Sequence, residues 1–259
     1  MLREYLRHFR IRDSRKTLKT LGVSFARLPY ENLTKIIKWT ECGPSPQARR
    51  APQEVVSDHV SLGTGGTCFS LTATLLHLVR SLGYQAEPIL ADRRYGQNTH
   101  CALLVWIGGR GHLLDPGYLV VDPLPLPAAE AHLKTEFNEL VLVPAPGGNT
   151  MELRTAESGA SRHRLTYKLD PVDPREFLKI WDESFSWEMM RYPLLTRADH
   201  GRQLYMRGSR FQVRTPESVD HREIPPEELP ARIASEFRIA PSIAARALSI
   251  LRERGERLG

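Results

Sequence analysis

The chain has 259 residues, 41% of them hydrophobic and 25% charged, which is typical of a globular protein with one large domain or two to three smaller ones. The 36 Lys and Arg against 30 Asp and Glu give a net charge of +6, which favours an anionic ligand. The basic residues are spread along the chain and no base-reading motif occurs, so nucleic-acid binding is not indicated.

The apolar residues exclude two kinds of segment. No run of about 18 apolar residues is present, so a membrane span is not expected. Charged residues interrupt the apolar positions of the N-terminus, which is therefore not expected to be a secretory signal. The chain has three cysteines, Cys42, Cys68 and Cys101, which is an odd number. They are far apart and lack the spacing that is typical of a structural zinc site. This usage predicts a reducing, cytoplasmic location.

The N-terminal third has helical patterns. Apolar residues recur every three to four positions over residues 1–40, and loops follow at 43–53 and 61–67. The next helix is predicted over 71–82, and Gly83 stands where a helix C-terminal glycine is typical.

Short apolar segments separated by turn residues follow from Gln85 and are typical of strands. We predict strands at 86–91, 101–107, 111–114, 140–144, 163–169 and 210–214. Gly108 and Gly109 predict a hairpin between the second and third of these. Residues 120–128, rich in proline, are predicted to be an extended connector.

Helical periodicity returns over 225–255, with a break at Pro241. The order is helical, then mostly strand, then mixed with a helical end. This order predicts an α+β fold.

Cys68 is the candidate nucleophile. Gly65 and Gly66 precede it, and a helix is predicted to begin at or just after it. Unpaired N–H groups at a helix N-terminus favour negative charge, which lowers the pKa of a thiol and stabilises an oxyanion. A cysteine is more often a small buried hydrophobe, so its position alone does not decide the role.

His100 and Asp115 are the candidate partners of this thiol. His100 opens the strand HCALLVWI, and Asp115 ends the strand that should pair with it, so hairpin geometry predicts that they are neighbours. An imidazole there would take the thiol proton, and the carboxylate would hold the imidazole. Asp122 is a rival with poorer hairpin register, and Asp-Pro-Gly at 115–117 is also a common turn.

Five motifs in this order resemble the arylamine N-acetyltransferase family. They are LPYENL at 28–33, GGTC at 65–68, SLGY at 81–84, THCALLVWI at 99–107 and LDPGY at 114–118. The family has a corresponding PFENL segment, an RGGxC nucleophile segment, a catalytic His on a strand and a D-x-G-[FY] segment.

The resemblance implies a fold with a cysteine-proteinase-like Cys-His-Asp core. A helical domain (1–85) would carry the nucleophile and a β-barrel domain (86–195) the His and Asp. An α/β lid ending in helices (196–259) would complete it.

The resemblance also implies a ping-pong acyltransferase. Cys68 would take an acetyl group from acetyl-coenzyme A or another acyl-coenzyme A, and an arylamine, hydrazine or related amine would accept it. His100 would serve as base and acid, and Asp115 would orient it. Coenzyme A is here a co-substrate, no bound cofactor or metal is expected, and no residue is assigned to its binding.

The sequence departs from the family around the nucleophile. Thr64 replaces the Arg of RGGxC, Ser70 replaces a frequent Glu, and Pro116 and Leu119 flank the Asp segment. These changes leave alternatives open. They include an amide synthase that uses an acyl carrier protein, a transglutaminase-like or papain-like hydrolase, and a catalytically inactive binding module.

Overall fold

The computed structural model describes residues 1–11, 17–118, 120–137, 139–157, 160–199, 201–256 and 258. Its N-terminal part folds mainly into helices. These are α1 (Leu2–His8), α2 (Leu18–Phe25), α3 (Leu33–Cys42), α4 (Pro52–Leu62) and α5 (Cys68–Ser81). The short strand β1 (Tyr30–Glu31) interrupts this helical region, and 3-10 turns occur at Pro46–Ala48 and later in the chain at Pro116–Tyr118, Ser184–Ser186 and Glu188–Arg191.

The predicted helix over 71–82 is α5. Its buried residues Leu75, Leu78 and Val79 share one cluster with residues of the neighbouring sheet, such as Leu103. Helical spacing puts these side chains on one face, so their burial fixes α5 against the sheet. Gly83 has a φ of +90°, in the region that favours glycine after a helix end.

An antiparallel sheet of eight strands forms the centre of the fold, in the order β5-β4-β3-β2-β9-β8-β7-β6. Its strands are β2 (Gln85–Arg93), β3 (Gly96–Ile107), β4 (Arg110–Asp115), β5 (Val120–Pro125), β6 (Ala131–Lys134), β7 (Glu139–Pro144), β8 (Thr150–Glu157) and β9 (Ala160–Lys168). The sheet curls into a half-barrel whose edges are β5 and β6. Gly108 and Gly109 turn β3 into β4 with positive φ, as the hairpin signal predicts.

A second antiparallel sheet pairs the short strand β1 with four strands from the C-terminal part of the chain, in the order β1-β10-β11-β12-β13. Its remaining strands are β10 (Leu194–Asp199), β11 (Arg202–Arg207), β12 (Arg210–Arg214) and β13 (Val219–Glu223). The helices of this half are α6 (Pro174–Glu183), α7 (Leu229–Phe237) and α8 (Pro241–Glu253). Pro241 begins α8, since its ring is compatible with the first turn of a helix and not with the interior.

The structure confirms the predicted α+β class, but it places β1 within residues 1–40, predicted to be helical, and α4 overlaps the loops predicted at 43–53 and 61–67. Residues 120–125, predicted to be part of a connector, form β5, because an edge strand tolerates Pro123 and Pro125. The division into 1–85, 86–195 and 196–259 stays a prediction.

Within the residues that the structure describes, no helix has both the length and the apolar character needed to cross a bilayer. The same residues contain no group of three or more His, Cys, Asp or Glu side chains arranged to hold a metal ion.

Candidate active site

The turn that precedes Cys68 is packed against residues 29–31. The N–H of Gly66 donates to the carbonyl of Pro29 at 3.3 Å, and the N–H of Glu31 donates to the carbonyl of Gly66 at 3.0 Å. A β-carbon on Gly65 would lie 1.8 Å from the Pro29 carbonyl oxygen, and one on Gly66 would lie 2.3 Å from Ser70 Oγ. Close packing against backbone therefore requires Gly65, whereas a side chain at Gly66 would have to displace only the Ser70 hydroxyl; both glycines join LPYENL to the nucleophile turn.

Cys68 is the first residue of α5 and is 7% exposed. Thr67, at the N-cap, has extended φ and ψ, and its side chain makes no capping hydrogen bond. The first-turn N–H groups of a helix have no intrahelical partner, so they favour a negative charge at this end. The local structure thus suits a thiolate and an adjacent oxyanion.

His100 and Asp115 meet across the β3–β4 hairpin. His100 Nε2–H donates to Asp115 Oδ2 at 2.7 Å, and both residues are buried. Asp115 Oδ2 also accepts from the hydroxyl of Tyr167 on β9 at 2.8 Å, and Oδ1 accepts from the N–H of Gly117 at 3.1 Å. Three donors therefore hold the carboxylate, which engages only the Nε2 side of the imidazole.

The pKa of the Cys68 thiol lies well below its usual range. A hydrogen bond with Cys101 lowers it most, burial opposes the shift, and hydrogen bonding to His100 and the charges of His100 and Arg93 lower it further. Burial alone would lower the pKa of His100, but the charge and hydrogen bond of Asp115 and the contact with Cys68 raise it. The lowered pKa of Cys68 and the raised pKa of His100 together favour a thiolate–imidazolium pair.

Cys101 follows His100 on β3, and the sequence alone did not single it out for this site. Its Sγ lies 3.3 Å from Thr72 Oγ1, whose hydroxyl donates to the Cys101 carbonyl at 3.2 Å. Burial and the neighbouring Cys68 raise the pKa of the Cys101 thiol. Cys101 thus stays protonated as a neutral neighbour of the nucleophile.

A buried arginine supports the nucleophile turn although Thr64 replaces the family's motif arginine. Arg50 donates through Nη1 to Thr34 Oγ1 at 2.9 Å and to the carbonyl of Gly65, and through Nη2 to Asp58 Oδ2 at 2.6 Å. Its Nη1 also lies 3.6 Å from Oε1 of the fully buried Glu31. Arg50 therefore joins LPYENL, α4 and the nucleophile turn.

Thr64, which stands at the position of the family's motif arginine, is fully buried. The Oγ1 of Thr64 has no hydrogen-bond partner, while its carbonyl oxygen accepts from His59 Nδ1 at 2.9 Å. Ser70, in place of the family's frequent Glu, donates to the carbonyl of Thr67 at 3.1 Å and so closes the first turn of α5. Of the other two departures, Pro116 begins the short 3-10 turn after Asp115, and Leu119 lies outside the described residues.

A second arginine, Arg93 at the end of β2, lies directly beside the imidazole. Its Nη2 is 3.1 Å from His100 Nδ1, and its Nη1 donates to the hydroxyl of Tyr95 at 2.7 Å. Because Nη2 can only donate, its approach and its positive charge oppose the protonation of Nδ1 and act against the raised pKa of His100. The guanidinium also lies over the rings of Tyr118 and Tyr95, at 5.7 and 5.9 Å from their centroids.

The structure brings Cys68, His100 and Asp115 together and separates the rival carboxylate from them. Asp122 accepts from Lys19 Nζ at 2.8 Å and is 57% exposed. Tyr167 and Arg93, by contrast, reach the site from positions that no local motif indicates. Only the pairing of β9 with β2, beside β3, brings Tyr167 to Asp115.

Residues 16–245 match the family model described as N-acetyltransferase. The chain belongs to this family. Membership confirms the resemblance that the motifs predict and makes the chain an acetyltransferase.

Solved N-acetyltransferase structures share the fold over almost the whole chain. The Mycobacterium abscessus arylamine N-acetyltransferase is 18% identical with a TM-score of 0.80, and covers 97% of this chain and 95% of its own. The Mycobacterium smegmatis enzyme is 20% identical with a TM-score of 0.79, covering 97% and 98%. A Bacillus cereus arylamine N-acetyltransferase with a Cys-His-Glu catalytic triad is 12% identical with a TM-score of 0.72, covering 92% and 98%. None of the curated proteins matches the sequence significantly.

Proposed function

We propose that this N-acetyltransferase family member transfers an acetyl group from a coenzyme A thioester to a small-molecule amine through a thioester on Cys68. One observation carries the proposal: His100 donates to Asp115 at 2.7 Å and is also in hydrogen-bonding contact with the Cys68 thiol at the start of α5. A cysteine nucleophile, a base and an orienting carboxylate are the groups that acyl transfer requires.

In the first half-reaction His100 Nδ1 takes the proton of Cys68. The thiolate attacks the acetyl carbonyl of the donor, and the N–H groups at the start of α5 stabilise the oxyanion. Collapse of the tetrahedral intermediate breaks the bond to the sulfur of coenzyme A, and the proton held on His100 passes to that sulfur. The products are free coenzyme A and acetyl-Cys68.

In the second half-reaction an amine attacks the thioester of Cys68. His100 Nδ1 accepts a proton from the attacking nitrogen, and Asp115 stabilises the resulting imidazolium through Nε2. Expulsion of the Cys68 thiolate yields the amide and restores the enzyme. The net positive charge of the chain suits a phosphate-bearing donor, and a cytoplasmic location stays a prediction.

Steady-state kinetics test this proposal. Initial rates measured against acetyl-coenzyme A at several fixed concentrations of an arylamine should give parallel double-reciprocal lines, as a ping-pong reaction requires. Cys68→Ser and His100→Gln should both abolish amide formation, while the exposed Cys42→Ala should retain it. Intersecting lines, or an active Cys68→Ser, would contradict a covalent route through this sulfur.

The same assays separate the alternatives. Amide formation only from acyl groups on a carrier protein would indicate an amide synthase, and release of coenzyme A as fast without amine as with it would indicate a hydrolase. A protein that binds amines or acyl-coenzyme A without forming either product would be an inactive module. Each of these results would overturn the proposed transfer.

A further inference from the structure

Arg93 is a half-buried cation for which the described residues provide no carboxylate. Its guanidinium donates to the hydroxyl of Tyr95 and lies 3.1 Å from the imidazole of His100, and its buried Nε has no hydrogen-bond partner. Arg50, the buried arginine near the site, contacts the carboxylates of Asp58 and Glu31. Charges that are removed from solvent are ordinarily paired, so Arg93 differs from Arg50 in lacking a carboxylate partner among the described residues.

The surroundings of Arg93 are aromatic. Besides Tyr118 and Tyr95, which flank the guanidinium, Tyr30 and Tyr205 lie close enough for Arg93 to lower the pKa of their hydroxyls against the effect of burial. Tyr95 is 75% exposed, so the cluster borders solvent on one side. Tyrosine rings around a cation suit a ligand that combines a flat apolar body with a negative group.

The position of Arg93 connects this cluster to the chemistry. Its Nη2 lies 3.1 Å from the Nδ1 of His100, the nitrogen proposed to exchange protons with Cys68. A group bound by Arg93 is therefore separated from the sulfur by little more than one imidazole ring. That places it within the length of a small substrate whose other end reacts at Cys68.

We infer that Arg93 binds a carboxylate of the substrate, so that this enzyme prefers reactants that carry a carboxylate close to the reacting group. The inference rests on the proposed function, since it assigns a substrate class to the same site. A carboxylate would accept charge-assisted hydrogen bonds from the planar guanidinium in place of its bond to the Tyr95 hydroxyl, and Arg matches this geometry better than Lys. The carboxylate has two sources, the acceptor amine or the acyl group.

Calorimetric titration of the Cys68→Ala protein tests the inference without turnover. The acceptor arm compares 4-aminobenzoate with 4-aminobenzamide, and the acyl arm compares malonyl-coenzyme A with isovaleryl-coenzyme A. The two ligands of each pair are close in shape and differ in charge. At least one arm should show about tenfold or tighter binding of the carboxylate ligand, and the arm that responds identifies the source.

The Arg93→Gln change in the same background should remove that preference, and Arg93→Lys should restore part of it. Arg94→Gln is the matched control, because Arg94 is the exposed neighbour and should leave the preference intact. Equal binding within both pairs would overturn the inference, as would a preference that survives in both Arg93 variants. Amide formation by the unsubstituted enzyme is measured separately, so failure of the proposed function and failure of this inference are distinguishable.

Discussion

The Nε2 of His100 and the Oδ2 of Asp115 are 2.7 Å apart in a buried hairpin, with the same carboxylate oxygen held by Tyr167 at 2.8 Å. This arrangement predicts the effect of Asp115→Asn. An amide at this position offers no charge to an imidazolium and favours the wrong tautomer, so kcat/KM should fall by about a thousandfold or more. Steady-state rates with acetyl-coenzyme A and an arylamine measure it.

Asp122→Asn is the matched control for this change. Asp122 is exposed and bonded to Lys19, so its replacement should leave kcat/KM within about twofold, as for other surface changes. Comparable losses for the two variants would remove Asp115 from its proposed role.

The lowered pKa of the Cys68 thiol predicts alkylation at pH values where ordinary thiols, with a pKa of about 8.5, are protonated. The rate constant for iodoacetamide at Cys68, followed by peptide mass spectrometry, should persist well below that range. Cys101→Ala and His100→Gln should each shift the profile toward higher pH, because each removes a group that stabilises the thiolate.

The exposed Cys42 serves as an internal reference for the reagent in the same samples. An unshifted Cys68 profile in both variants would show that neither neighbour stabilises the thiolate.

His59 predicts an acid-sensitive contribution to stability. Burial lowers its pKa to about 4 from 6.5, with the hydrogen bond to the Thr64 carbonyl acting in the opposite direction. Between these values the unfolded chain binds more protons than the folded one, so the stability present above pH 6.5 is lost as the pH falls toward 4. The contribution is about 1–3 kcal/mol. Urea unfolding of the protein and of His59→Gln measures it.

The difference in unfolding free energy between these two proteins should shrink as the pH falls from 6.5 to 4. His221→Gln, at an exposed position on β13, should follow the parent curve at every pH. A difference for His59→Gln that stays constant across this window would contradict the expected linkage.

Arg50→Met tests the buried support of the nucleophile turn. The change leaves the fully buried Glu31 without its cation and removes the donor to Gly65, so the free energy of unfolding should fall by about 3–5 kcal/mol. Equilibrium urea unfolding measures this loss.

The neighbouring residue provides the control. Arg49 pairs with the 46% exposed Asp182 on the surface, and Arg49→Met should cost no more than about 1 kcal/mol. Equal costs at positions 49 and 50 would mean that the network around Glu31 contributes nothing specific.

Local patterns in the sequence predict the elements that carry the site. The 3.6-residue period gives α5, Gly108 and Gly109 give the β3–β4 hairpin, and that hairpin predicts the approach of His100 to Asp115. The sequence predicts a connector at residues 120–125 because proline argues against a strand except at an edge, and only the sheet order shows that β5 is an edge strand.

The supporting groups were not predictable in this way. Tyr167 reaches Asp115 across 52 residues through the pairing of β9 with β2, and Arg50 reaches Gly65 from a proline-flanked segment without helical or strand periodicity. Such contacts depend on sheet order and packing, which a single sequence does not encode as a local pattern. The sequence gives one hint of Arg50: Thr64 replaces the motif arginine, which indicates that another cation supports the nucleophile turn.

Intact-mass spectrometry tests the central claim most directly. The protein is mixed with acetyl-coenzyme A in the absence of amine, quenched in acid and weighed beside Cys68→Ala and Cys42→Ala. We expect the mass of one acetyl group on the parent and on Cys42→Ala, none on Cys68→Ala, and loss of the added mass when an arylamine is supplied. An acetylated Cys68→Ala protein, or a parent that never gains the group while still producing amide, would contradict transfer through this cysteine.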